Sequence, residues 1–148
     1  MIKDSYEGNE KLRQAWEQRA AQSGNSQTGV LPRNFPDTLN NYLHRQHLQI
    51  VLKKFLPHLP KRAILLDVGC GYGRISTCIN DYRPDISLIG LDFALNYCRY
   101  YQRNIGNPSL CANFGRPPLL QASIDGLIAV TALMYIPSFE AVNVMKKL

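Results

Sequence analysis

The sequence predicts an α/β fold with a mostly parallel sheet and helices over both of its faces. Two observations carry that expectation. Short runs that are apolar throughout, AILLDV (63–68), ISLIGLD (86–92) and IDGLIAV (124–130), alternate with segments that read as helices. Strands apolar on both sides are what a parallel sheet buried under helices requires. Polar residues, Asp67, Asp92, Asn113 and Thr131, fall at or just after the ends of the strand runs. Right-handed crossovers line up those ends along one edge, where such sheets bind ligands.

The elements follow in order. Residues from about Glu10 to Gln22 read as a mostly polar helix with Trp16 as its one large anchor. SGNSQTGVLPRNFP (23–36) is a loop rich in Gly, Ser, Asn and Pro. Pro36 marks the start of a second helix, with Asp37 or Thr38 as its cap, running to about Phe55. Leu39, Leu43, Ile50 and Phe55, with Tyr42 and Val51 beside them, form its apolar face. The first strand follows. Arg74 to Tyr82 is helical and Pro84 stops it. After the second strand, Ala94 to Ile105 is a helix that Gly106 ends. SLCA (109–112) is a short third strand, IDGLIAV a fourth, and Phe139 to Leu148 begins another helix.

Composition narrows the class. The chain has 148 residues, 45% hydrophobic and 19% charged, which is enough for one domain with its own core. No apolar run approaches the roughly 20 residues needed to span a bilayer. The N-terminal MIKDSYEGNEKLRQAWEQRA lacks the apolar centre of a signal peptide, so a cytoplasmic protein is expected. Four cysteines, Cys70, Cys78, Cys98 and Cys111, form no C-x-x-C pair and are expected as reduced thiols. The net charge of +6 is scattered over short basic pairs, which argues against a nucleic-acid partner. His44 and His47 share a helix face but have no third ligand beside them, so no metal site is expected. Tyr97, Tyr100 and Tyr101 fit one helix packed on the sheet, Cys70 a small packed side chain, and Arg33 an ordinary solvated arginine.

The chemistry concentrates in LLDVGCGYGRIS (65–76), where Gly69, Gly71 and Gly73 follow a strand ending in Asp67. The dinucleotide pattern G-x-G-x-x-G aims a helix N-terminus at a pyrophosphate. Here the third glycine arrives one residue early, and Asp67 sits two residues before the first. A carboxylate there repels a pyrophosphate and suits a ligand with a nearby cation. S-adenosylmethionine has an ammonium and a sulfonium and no phosphate. Asp92 closes the second strand, where a carboxylate accepts hydrogen bonds from ribose hydroxyls, and Phe93 follows it to pack on adenine.

LLDVGCGYGRI resembles motif I of the class I S-adenosylmethionine-dependent methyltransferases, and IGLDFALNYC (89–98) resembles their second motif. NFGRPPL (113–119) resembles the family's acidic segment, with Asn113 where Asp is usual and Pro117-Pro118 in place of Leu-Pro. SIDGLIAVTALMYIP (123–137) resembles the fourth strand and the loop after it, with Asp125 and Tyr135 at recognisable places. The resemblance covers roughly Arg62 to Leu148 and implies a Rossmann-like sheet. It also implies roles: Asp67, Gly69 and Gly71 along the methionine moiety with Cys70 beside them, Asp92 on the ribose, Phe93 next to the adenine. Asn113 would address the adenine amine through its side-chain oxygen, with Phe114 beside the ring. Asn for Asp makes that last bond weaker.

The resemblance divides the chain into a helical cap or lid segment, 1–60, and an S-adenosylmethionine-binding domain, 61–148. It implies a methyltransferase acting on a small-molecule acceptor, because the loop after the fourth strand reads TALMYIP. Family members that methylate base amines or glutamine amides carry an Asp/Asn-Pro-Pro-aromatic motif there. Tyr135 is the candidate for touching the acceptor, and no catalytic base is nominated. The family's sheet has seven strands, and this chain ends in KKL after the fourth. The expectation is an incomplete sheet: a fragment of a longer protein, or a chain whose exposed edge a second copy or partner covers. Two other function classes remain open: a truncated, partner-dependent binding module without activity of its own, and an NAD-dependent oxidoreductase.

Overall fold

The computed structural model describes residues 2–135 and Val142, with side chains from Glu10 to Tyr135 and at Val142. The helix expected over Phe139 to Leu148 lies, Val142 excepted, outside the described residues. Three helices precede the sheet: α1 (Ile2–Ser23), α2 (Gln27–Val30) and α3 (Asp37–Ile50), the last continued by a π turn, Val51–Phe55, and a 3-10 turn, Leu56–His58. Then come β1 (Ile64–Val68), α4 (Arg74–Tyr82), β2 (Ser87–Asp92), α5 (Leu95–Ile105), β3 (Ser109–Cys111) and β4 (Gly126–Ile128). A 3-10 turn, Leu133–Tyr135, follows β4.

The four strands form one sheet in the order β3-β2-β1-β4, with every neighbouring pair parallel. This is the α/β architecture the apolar runs predict. Alternation along the strands divides the core. Leu65 and Leu88 pack with Val51, Leu56, Ile75, Ile79 and Ile128 on the side of α3 and α4. Leu66, Val68 and Leu91 point the other way, onto Phe114, Leu119, Ile124 and Leu133. Among the described residues that second face is therefore covered by the loops around β4 rather than by a helix. No described helix is long and apolar enough to cross a membrane.

Three local readings change. Gln27–Val30 forms a helical turn inside the expected loop. The cap position of α3 is Pro36, with Asp37 already helical and no side-chain cap bond. The buried stripe of α3 is also rotated from the apolar one. Asn40 is 1% exposed, while Tyr42 and Ile50 are 50% and 61% exposed. The reason is tertiary. The Asn40 amide donates to the Pro32 carbonyl at 3.1 Å, and His44 and His47 turn inward to a guanidinium on α4. Polar partners on the facing elements select polar residues for this seam.

β4 is anchored at its start by a reciprocal pair. The Asp125 amide donates to the Ile64 carbonyl at 2.8 Å, and the Ile64 amide donates to Asp125 Oδ2 at 2.8 Å. Asp125→Ala should lower stability by about 1 kcal/mol through loss of one charge-assisted bond. Urea unfolding would read this as a lower midpoint at unchanged slope.

Candidate functional site

β1 ends at the glycine loop, and the loop is tied to the neighbouring strand. The amides of Gly69 and Cys70 donate to the Leu91 carbonyl at 2.7 and 3.2 Å. The Gly71 amide donates to Asp92 Oδ2 at 3.0 Å. Gly69 and Gly71 hold φ of 65° and 54°, left-handed backbone that side chains disfavour. Space excludes a side chain as well. A Cβ on Gly71 would lie 2.7 Å from Val30 Cγ1, and one on Gly69 would meet the Ala132 side chain. The loop thus runs close beneath a segment from each end of the chain.

Two carboxylates are buried at the edge. Asp92 is 6% exposed, and its second oxygen accepts the Ala94 amide at 2.9 Å. Burial pushes its pKa up to about 6, against the pull of the Ala94 and Gly71 amides. Asp67 is 3% exposed and accepts the Ser76 hydroxyl at 2.7 Å. Burial pushes it to about 7, although Ser76 and the charge of Arg74 hold it down. Tyr101, wholly buried, donates to Ser76 Oγ at 3.1 Å, so a three-member chain orients the Asp67 carboxylate from behind.

One cavity collects these groups. Its lining includes all eight residues singled out as cofactor-binding: Asp67, Gly69, Cys70, Gly71, Asp92, Phe93, Asn113 and Phe114. Cys70 is buried, and burial beside Asp92 and Asp67 pushes its thiol well above the usual range, so it packs as a neutral side chain. Phe114 sits in the core beneath the cavity. Asn113 Oδ1 accepts the Gly115 amide at 2.8 Å, which spends one of its lone pairs on its own turn.

The lining also includes Leu12, Trp16, Val30, Arg74 and Tyr97, which no motif assigns to the site. Leu12, Trp16 and Ala20 recur every fourth residue of α1, a stripe legible in principle. Trp16 meets Tyr135 edge-on at 5.2 Å between ring centres, and Arg19 lies over the indole at 4.8 Å. Arg19 also donates to the Thr28 and Leu31 carbonyls, and Tyr97 donates to the Gly29 carbonyl. These bonds hold the 28–31 segment against the glycine loop. Tyr97 and Tyr101 are buried as the helix reading expects, whereas Arg33 is exposed, donates to Ser23 Oγ at 3.2 Å and stands outside the lining. His44 and His47, which share one face of α3, accept hydrogen bonds from Arg74 at 2.7 and 3.3 Å.

Residues 66–146 match the model of a methyltransferase domain, which is more than half of the chain. The chain belongs to the methyltransferase-domain family. No curated protein matches the sequence. Solved structures that share the fold of this methyltransferase domain include the following three. Magnesium protoporphyrin IX methyltransferase from Synechocystis, with bound SAM, is 16% identical at a TM-score of 0.71, over 95% of this chain and 69% of that one. Phosphoethanolamine N-methyltransferase 1 from Haemonchus contortus, in complex with phosphoethanolamine and S-adenosylhomocysteine, is 16% identical at 0.70, over 93% of this chain and 28% of that one. A SAM-dependent methyltransferase from Leishmania major is 18% identical at 0.68, over 91% of this chain and 54% of that one. The methyltransferase domain therefore spans between about a quarter and two thirds of these proteins.

Proposed function

We propose that this methyltransferase domain binds S-adenosylmethionine in the cavity at the carboxyl edge of the sheet and methylates a small-molecule acceptor. The observation that carries the reading is the convergence of a bare glycine loop and two desolvated carboxylates on one cavity. A cationic ligand relieves the cost of keeping those carboxylates ionised, whereas a pyrophosphate raises it. The residues present fit the cofactor. Gly69 and Gly71 let the ligand approach the backbone. Asp67 would meet the ammonium. Asp92 uses one lone pair of each oxygen on the Gly71 and Ala94 amides and keeps a second for the ribose hydroxyls. Phe93 and Phe114 would flank the adenine, with Asn113 at its amine.

The bound cofactor would supply a methyl group already activated by a sulfonium charge. What this chain's residues then do is position and shield. Leu12, Trp16 and Val30 bring the N-terminal segment over the cavity as a wall against water, which is the lid role proposed for 1–60. Tyr135, edge-on to Trp16, would touch the acceptor. The TALMYIP sequence after β4 supports a small molecule over a base amine or glutamine amide as that acceptor. A second reading, a partner-dependent binding module, is favoured by one observation: β4 is an edge strand among the described residues.

Calorimetric titration with S-adenosylhomocysteine, and with NADH in parallel, tests the assignment. Micromolar binding of the first and none of the second is the expected result, and an acceptor screen would follow. Tight NADH binding would replace the reading with an oxidoreductase one. A folded sample that binds neither would favour the partner-dependent module.

A further inference from the structure

The lining of the cavity divides by charge. Its charged members, Asp67, Asp92 and Arg74, stand at the ends of β1 and β2 and at the start of α4. A second wall comes from the N-terminal segment and from the turn after β4: Leu12, Trp16 and Val30, with Thr131, Ala132 and Tyr135. Among the described residues that wall carries no carboxylate, guanidinium, ammonium or imidazole. It is built around a corner of two rings. Trp16 and Tyr135 meet at 5.2 Å between centres with their planes 80° apart. Tyr97, wholly buried, lies against Trp16 at 6.4 Å, and the Arg19 guanidinium lies 4.8 Å from the indole centre. Tyr97 and Arg19 are held in turn by the carbonyls of Gly29, Thr28 and Leu31, so the indole is fixed before a ligand arrives. Tyr135 is 42% exposed, which leaves part of its ring open to a ligand.

We propose that the methyl acceptor is a neutral, planar aromatic molecule seated at the corner of Trp16 and Tyr135. The proposal rests on the S-adenosylmethionine reading and deepens it by naming the acceptor's class. Two rings near a right angle present a face and an edge, so a third ring can stack offset on one and meet the other edge-on. Each such contact adds to what burial alone gives. A saturated ring of the same outline gains the burial only. A cationic acceptor is disfavoured here, because Arg19 already sets a positive charge over the indole and a second one would be repelled. An anionic acceptor finds Arg19 turned to the Thr28 and Leu31 carbonyls and outside the lining, and it would lose its hydration against an uncharged wall.

Calorimetric titrations with S-adenosylhomocysteine kept saturating test the proposal. The probes are methyl 4-hydroxybenzoate, its ring-saturated counterpart methyl 4-hydroxycyclohexanecarboxylate, and choline. The parent protein should bind the aromatic ester about tenfold more tightly than the saturated one, on the scale of two ring contacts, and choline least. Trp16 is the one tryptophan of the chain, so its emission should change as the aromatic ester binds. Tyr135→Leu removes one ring and should cut the preference to about threefold, whereas Tyr135→Phe should keep it. S-adenosylhomocysteine alone should bind both variants as it binds the parent. If Tyr135→Leu fails to fold, Trp16→Leu serves instead, with the same expected drop. Equal binding of the two esters, tighter binding of choline, or a preference that the leucine variant leaves unchanged overturns the proposal. A matching loss of S-adenosylhomocysteine affinity in that variant also overturns it, by giving the corner to the cofactor. A parent protein that binds S-adenosylhomocysteine and none of the probes overturns the acceptor class alone. One that does not bind S-adenosylhomocysteine overturns the cofactor reading, and the proposal with it.

Discussion

Asp92→Ala is expected to weaken binding of S-adenosylhomocysteine by at least about 100-fold. The magnitude follows from how many partners meet at this one carboxylate. Oδ2 holds the Gly71 amide and Oδ1 holds the Ala94 amide, so it ties the glycine loop and the entry of α5 to the end of β2. Alanine leaves both amides without that acceptor in a buried place, and removes the acceptor proposed for the ribose hydroxyls. Each loss is worth about 1–3 kcal/mol. Asp92→Asn keeps one acceptor oxygen and turns an NH2 toward an amide donor, so a loss of about tenfold is expected. Calorimetry on both variants checks the ordering, with thermal unfolding to confirm that they fold. Parental affinity in Asp92→Ala would remove this residue from the ligand site.

Affinity should also fall on acidification from pH 7.5 to 5.5. Burial raises Asp67 to about 7 and Asp92 to about 6, each above the ordinary carboxylate value of 3.8. Their anionic forms therefore dominate only above those values. The ligand ammonium pairs with the Asp67 anion and the ribose hydroxyls donate best to the Asp92 anion, so binding favours deprotonation of both. The dissociation constant should rise as pH falls through 7 and more steeply below 6, approaching tenfold per pH unit for each carboxylate. The neighbours that set these values are Ser76 and Arg74 around Asp67, and the Ala94 and Gly71 amides with Glu17 around Asp92. His44 and His47, next to Arg74, are held below their usual value by burial and by its charge. Asp67→Asn should weaken binding at pH 7.5 and remove the bend near 7, leaving the one near 6. A flat profile in the parent protein would show that neither carboxylate has to be ionised to hold the ligand, and tighter NADH binding by Asp67→Asn would point to a dinucleotide.

The strand runs, the glycine loop and the limits of α4 and α5 were legible because each rests on local chemistry. Proline ends one helix and a left-handed glycine, Gly106, ends the other. Runs apolar on both sides have no stable place except inside a parallel sheet. The eight residues read from the motifs share one cavity for the same reason, since each lies at the end of a strand or in the loop after it and parallel strands bring those ends to one edge. The face of α3 was misread because hydrophobic periodicity says nothing about polar partners. Leu39 and Tyr42 sit outside while Asn40 is buried, because the Pro32 carbonyl requires a donor there.

Sequence alone thus settles the architecture and the gathering of the motif residues at one edge of the sheet. Only tertiary structure decides what closes the cavity and how its charges are held. Trp16 and Val30 lie more than 30 residues before the glycine loop, and nothing in their own segment marks them as its neighbours. The pairing of His44 and His47 with Arg74 likewise depends on the angle at which α3 crosses α4. The physical reason is common to both. Backbone conformation is selected by neighbours in the chain, whereas burial, desolvation and the partner of a charge are properties of whatever packs against it.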